Sequence, residues 1–131
     1  MSRVEQSPAR RRKTAAARRE AVASLERAKL RLDMLDFYPR PVRIDRVRVR
    51  VVPPFFRLPK LNRYDGYALK RTILLRSPVA QTSDDLITHE LCHIWQQQHE
   101  RWQVLWAWAT EDYEENPYEL EARRAVAETR D

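Results

Sequence analysis

The chain has 131 residues, of which 43% are hydrophobic and 34% charged, with a formal net charge of +6 at pH 7. This length and composition predict one domain with a modest core. No apolar run approaches the ~20 residues that span a bilayer, and no hydrophobic segment follows the N-terminal arginines, so neither a membrane span nor a secretory signal is expected. The single cysteine, Cys92, excludes an internal disulfide and favours a reducing, cytoplasmic location.

The charge is divided unevenly along the chain. Residues 1–76 hold 21 Lys and Arg against 7 Asp and Glu, whereas residues 77–131 hold 4 against 12. We interpret residues 1–20 as a basic arm, either frayed helix or disordered, and residues 21–131 as the folded domain. The charge of this arm indicates an anionic partner such as nucleic acid. The alternative is a solvated basic tail and attraction between the two oppositely charged halves of the chain. The arm's basic residues concentrate at Arg10, Arg11, Arg12, Lys13, Arg18 and Arg19.

One helix and two strands are predicted in the first two thirds of the chain. The helix runs from about residue 22 to residue 36, because apolar residues recur there at helical spacing. Residues 42–51 alternate between apolar residues and arginines, which indicates a strand, and a slip between Ile44 and Val47 indicates a bulge. Gly66, the only glycine, marks a turn into a second strand over residues 67–76. The apolar stripe of the helix is Leu25, Ala28, Leu32 and Leu35.

The most informative pattern is the HExxH run at residues 89–93, which lies in a segment that favours a helix. Thr82 or Ser83 can cap the helix, and no glycine or proline interrupts residues 79–116. On a helix, His93 lies about 40° and 6 Å from His89, so both imidazoles project from one face. Two histidines so placed bind one metal ion, usually zinc, and Glu90 is then the general base. A helix that carries two histidines by chance is the alternative.

A zinc site of this kind needs a third protein ligand, and His99 is one candidate. The spacing HExxHxxQxxH is similar to the metzincin pattern HExxHxxGxxH, but Gln96 stands where that family has a glycine. If the helix continues, His99 lies about 9 Å further along the axis and about 240° around from His93, where it cannot ligate.

Glu119 is the other candidate for the third ligand. Asn116 is placed as an N-cap, with Pro117 as the first helical residue and Glu119 as the third. The Glu119 side chain therefore either caps the helix or reaches a metal. Ala122 is small enough to let this helix lie close to the HExxH helix. Glu115 and Glu121 are the substitutes.

The run HELCH, the Trp-rich spacer after it and the segment NPYELEA resemble gluzincin-type zinc peptidases, and especially small bacterial metallopeptidases of that kind. The resemblance covers about residues 64–127. It implies that His89 and His93 are zinc ligands, that Glu90 is the catalytic base and that Glu119 is the third ligand. Many gluzincins have an aspartate four residues after the ligand glutamate, where this chain has Arg123.

These patterns predict an α+β, zincin-like domain with a small mixed or antiparallel sheet, an HExxH helix, a Trp-rich helix around residues 102–109 and a C-terminal ligand-bearing helix. The expected function is zinc-dependent hydrolysis of peptide bonds in a peptide or protein substrate. The alternative is a non-proteolytic, zinc-stabilised module that binds nucleic acid or a protein through its basic half. Tyr113, Tyr118 and His99 are candidates to stabilise an oxyanion, and an acidic residue among 111–115 is a candidate to orient a ligand histidine.

Overall fold

The computed structural model describes residues 7–35, 42–99 and 116–130, with residue 99 described by its backbone alone. Within them the fold is mixed α and β, which confirms the predicted α+β class. The predicted Trp-rich helix and the acidic run 111–115 lie outside the described residues. The described helices are α1 (Pro8–Asp33), α2 (Asp84–His99) and α3 (Pro117–Thr129), and the strands are β1 (Arg48–Val51), β2 (Gly66–Leu69) and β3 (Thr72–Leu75).

Helix α1 begins earlier than its apolar pattern indicates. The Ser7 hydroxyl accepts a hydrogen bond from the Arg10 backbone N–H at 3.1 Å, and Pro8 occupies the first turn, so the N-terminus is well capped. The helix therefore includes most of the segment interpreted as a basic arm, and the division at residue 20 stays a prediction. It ends at Asp33, three residues before the predicted end. The predicted stripe is buried at Leu25, Ala28 and Leu32.

The sheet has the strand order β1-β3-β2, with β1 parallel and β2 antiparallel to β3. The prediction of one strand over residues 67–76 is wrong, because the chain reverses between Leu69 and Thr72, which are paired. Lys70 adopts a φ of 56° in that turn. A lysine seldom takes this left-handed conformation, and the turn lacks the glycine or asparagine that would have signalled it.

The first predicted strand is also shorter than expected. Strand β1 covers only residues 48–51, and the slip in the alternation is a turn at Asp45 and Arg46 rather than a bulge. The Val47 N–H donates to the Ile44 carbonyl at 3.1 Å, which closes this turn. A two-residue turn and a bulge disturb the period-two pattern in the same way, so the sequence did not separate them.

Helix α2 lies at the centre of the fold, against α1, α3, β2 and β3. The Ser83 hydroxyl caps it by accepting from the Leu86 N–H at 3.1 Å. In its first turn, Asp84 contacts Arg27 of α1 at 3.1 Å, and Asp85 contacts Arg31 of α1 at 3.0 Å. The acidic turn therefore ties α2 to the basic part of the chain. The apolar side chains that α2 buries are Ile87, Leu91, Cys92, Ile94 and Trp95.

None of the helices in the described segments is both long enough and apolar enough to cross a membrane.

Candidate metal centre

His89 and His93 project from one face of α2, as their four-residue spacing predicts. Their Nε2 atoms lie 3.1 Å apart, and the two rings meet edge to face with centroids 4.8 Å apart. The side chain of His93 is 8% exposed and that of His89 is 16% exposed. The pair is therefore recessed, with His89 nearer to solvent.

Glu119 completes the group from the first turn of α3. Its carboxylate oxygens lie 2.9 Å from His89 Nε2 and 2.8 Å from His93 Nε2. Asn116 caps the helix, since its side-chain oxygen accepts from the Tyr118 N–H at 2.9 Å. The Glu119 carboxylate is directed at the two imidazoles. Ala122 is completely buried, in agreement with a close approach of α3 to α2.

The donor set fits a metal ion such as zinc. The three residues each offer one ligand atom, and these atoms all lie within 4.8 Å of one another. Zinc binds imidazole nitrogen and carboxylate oxygen at about 2.0–2.2 Å, so tetrahedral ligand atoms stand about 3.3 Å apart. The two Nε2 atoms stand 3.1 Å apart, close to this value, and each contacts a different oxygen of Glu119, at 2.9 Å for His89 and 2.8 Å for His93. The cluster could therefore hold a metal ion.

The electrostatics of the cluster favour a cation. Burial alone would raise the pKa of Glu119, but its hydrogen bonds with His89 and His93 and their charges outweigh burial and hold that pKa well below its usual range. Burial alone would lower the pKa of His93, yet the hydrogen bond to Glu119 and the charges of Glu90 and Glu119 raise it. The negative charge of the two carboxylates would be balanced either by a proton on an imidazole or by a metal ion between these groups.

Glu90 is buried beside the cluster but is not part of it. Its carboxylate makes no hydrogen bond to another described residue, and burial raises its pKa, although the charges of His93 and His89 oppose this. Strand β2 lies directly against it, since a Cβ added at Gly66 would come within 3.3 Å of Glu90 Cγ. A side chain at position 66 would therefore crowd Glu90 and Leu86, which glycine avoids. The sequence marked Gly66 as a turn residue and gave no signal of this contact.

Two further side chains support the cluster. The Gln96 side-chain oxygen lies 2.8 Å from His93 Nδ1, and its nitrogen donates to the Tyr118 carbonyl at 3.0 Å. Arg123 Nε donates to Glu119 at 3.3 Å, so the residue at the position of the gluzincin aspartate contacts the glutamate. Sequence reasoning missed the role of Gln96. Its position three residues after His93 on one helix is the signal that could have shown it.

The remaining candidates stand outside the cluster or outside the described residues. Helix α2 continues through residue 99, so the chain does not leave the helix where the metzincin pattern would require it. The His99 side chain, Glu115 and Tyr113 are not described. Glu121 is half-buried on α3 and does not belong to the cluster.

Comparisons with known proteins add no relative. No protein-family model matches this chain, and the searches of curated proteins and of solved structures gave no match. The geometry of the centre is therefore the observation from which a function is inferred.

Proposed function

We propose that the protein is a zinc metallopeptidase of the gluzincin type with a zincin-like fold. The observation that carries this proposal is the convergence of His89, His93 and Glu119, which come from two helices and meet within 4.8 Å. Glu90 lies next to His89 on the same helix and outside the cluster. Two imidazoles, a carboxylate and an adjacent buried glutamate are the groups that zinc-assisted hydrolysis uses.

The residues divide into metal-holding and proton-handling roles. His89, His93 and Glu119 would hold a zinc ion, which supplies Lewis acidity toward a water molecule and the scissile carbonyl. Glu90 would accept the proton of that water and deliver it to the leaving amine.

The position of β2 supports a peptide substrate. This strand pairs with β3 on one side, and no other described strand pairs with its opposite side. Its first residue, Gly66, lies against Glu90. The Gln97 side chain occupies the far end of the free edge, since it donates to the Ala68 carbonyl at 3.2 Å and accepts from the Lys70 N–H at 2.9 Å. An extended peptide would therefore pair with the edge at Gly66, beside the general base.

Helix α1 supports a second candidate function, the binding of double-stranded nucleic acid. Six basic side chains in its first half are exposed, and none of them forms an ion pair with a described residue. Alanine is the only apolar residue type between Pro8 and Glu20, so this half lacks the large apolar face that binding at a lipid surface requires. A helix with positive charge on all sides fits the phosphates that flank a groove.

One set of measurements tests the proposal and separates the two candidates. Protein purified without added metal should contain zinc, should hydrolyse an unfolded substrate such as casein, and should lose this activity on chelation and regain it with zinc. Absence of zinc and of zinc-restored hydrolysis would contradict the peptidase proposal. Binding to a DNA duplex that weakens steeply with salt, by a chain that neither holds zinc nor cleaves casein, would favour the second candidate.

A further inference from the structure

The Gln96 side chain is an unusual buried polar group. Gln96 has no solvent exposure, although its amide carries both a donor and an acceptor. Both are used: the oxygen faces His93 Nδ1 at 2.8 Å, and the nitrogen donates to the Tyr118 carbonyl at 3.0 Å. A buried amide with both ends paired is held in one orientation. If the amide were turned over, its oxygen would face the Tyr118 carbonyl and neither group would have a donor.

This orientation determines where the His93 ring carries its proton. The Tyr118 carbonyl can only accept, so the Gln96 nitrogen must point toward it and the Gln96 oxygen must point toward His93. An amide oxygen also only accepts, so His93 Nδ1 must carry a hydrogen. The other nitrogen, Nε2, lies 2.8 Å from a Glu119 oxygen. It donates to that carboxylate when it carries a hydrogen, and it would present its lone pair to a metal ion that replaced that hydrogen.

The same amide links the two helices that build the centre. Gln96 lies one turn after His93 on α2, and Tyr118 directly precedes Glu119 on α3. A shift of α3 relative to α2 would stretch the Gln96–Tyr118 hydrogen bond and the Glu119–His93 contact together. Gln96 is thus positioned to control both the tautomer of one ligand and the distance to another.

We propose that Gln96 is the positioning residue of the metal centre, which fixes His93 as the Nδ1–H tautomer and sets α3 against α2. Its task is one that a carboxylate often performs for a metal-bound histidine. Here the residue four positions after Glu119 is Arg123, which contacts the glutamate and cannot accept a proton from a histidine. The neutral amide of Gln96 fills that role among the described residues. The metal-dependent part of this inference rests on the proposed function, and the hydrogen on His93 Nδ1 does not.

The test compares Gln96→Met, Gln96→Glu and Gln97→Met. Methionine approximates the size of glutamine but lacks both polar contacts, whereas glutamate keeps the acceptor for His93 Nδ1. Gln97→Met is the matched control, because that neighbouring amide bonds to the backbone of β2 and of the turn after it. We expect Gln96→Met to weaken zinc binding by about 10–100-fold, the usual cost of losing a group that supports a metal ligand. Gln96→Glu should bind zinc more tightly than Gln96→Met, because it keeps the acceptor for His93, but more weakly than the wild type, because it loses the donor to Tyr118. Gln97→Met should match the wild type.

Nitrogen NMR of the metal-free protein provides a readout that needs neither zinc nor activity. At neutral pH, His93 Nδ1 should carry a hydrogen in the wild type and in Gln97→Met, and this hydrogen should exchange slowly with solvent because the Gln96 oxygen accepts it. In Gln96→Met the exchange should be fast. A wild-type His93 Nδ1 without a hydrogen, or a Gln96→Met variant with wild-type zinc affinity, would overturn the inference. If Gln96→Met does not fold, the wild-type Nδ1 hydrogen and the zinc affinity of Gln96→Glu still decide. Failure to find hydrolysis would contradict the proposed function and leave the NMR result unaffected.

Discussion

Replacing Glu90 by glutamine should abolish peptide hydrolysis and leave zinc bound. The amide has nearly the shape of the carboxylate, which matters because Glu90 is only 5% exposed and lies against Gly66. It cannot accept the proton that the carboxylate would take from water. Since general acid–base catalysis typically contributes about 10²–10⁴-fold, kcat should fall by at least roughly 10²-fold. The measurement is kcat of both proteins on a casein-derived peptide, together with their zinc content.

Glu128→Gln is the matched control for this substitution. Glu128 is exposed near the end of α3, where it pairs with Arg124 at 2.7 Å and lies far along the helix from Glu119. The same chemical change there should leave kcat unaltered. Equal activity in Glu90→Gln and the wild type would remove Glu90 from the mechanism. Loss of zinc along with activity would instead assign Glu90 a role in metal binding.

Replacing Glu119 by alanine should remove most of the zinc affinity. The substitution deletes one of the three groups of the cluster and leaves two imidazole nitrogens 3.1 Å apart without a carboxylate. Loss of a ligand itself should cost more than the ~10–100-fold that loss of a supporting residue costs. The measurement is the zinc dissociation constant, obtained by competition with a chelator of known affinity.

Glu121→Ala is the control, because this residue lies two positions further along α3 and outside the cluster. It should bind zinc as the wild type does. If Glu119→Ala retained wild-type affinity while Glu121→Ala lost it, the third ligand would be Glu121 and not Glu119. If both variants bound zinc tightly, the third ligand would come from elsewhere in the chain.

The parts of the centre that the sequence predicted are those that local rules determine. The HExxH spacing places two imidazoles on one face of any helix, and Asn116 followed by Pro117 defines where α3 begins. Local sequence does not choose between capping and metal binding for Glu119, because that choice depends on how α3 packs against α2. The packing decides it, since the Asn116 side chain satisfies the Tyr118 N–H and Glu119 reaches the histidines.

The contacts that the sequence did not predict are those between distant segments. Gly66 and Glu90 are 24 positions apart, and their contact requires β2 to cross α2 at one particular place. The hairpin between β2 and β3 depends on a left-handed lysine, which the surrounding pairing enforces against its local preference. Gln96 could have been associated with His93 by spacing, but its second partner, Tyr118, is 22 positions away. Tertiary packing, not local propensity, determines these features.

Zinc K-edge X-ray absorption spectroscopy of the zinc-loaded protein would test the centre formed by His89, His93 and Glu119 most directly. The spectrum should show two imidazoles, with the remaining ligands oxygen atoms. Zinc–sulfur bonds of about 2.3 Å are readily distinguished from zinc–nitrogen and zinc–oxygen bonds of about 2.0–2.2 Å. A sulfur ligand, which only Cys92 or a methionine could supply, would contradict the assignment. So would a third imidazole, since the chain has 3 histidines and the third is His99.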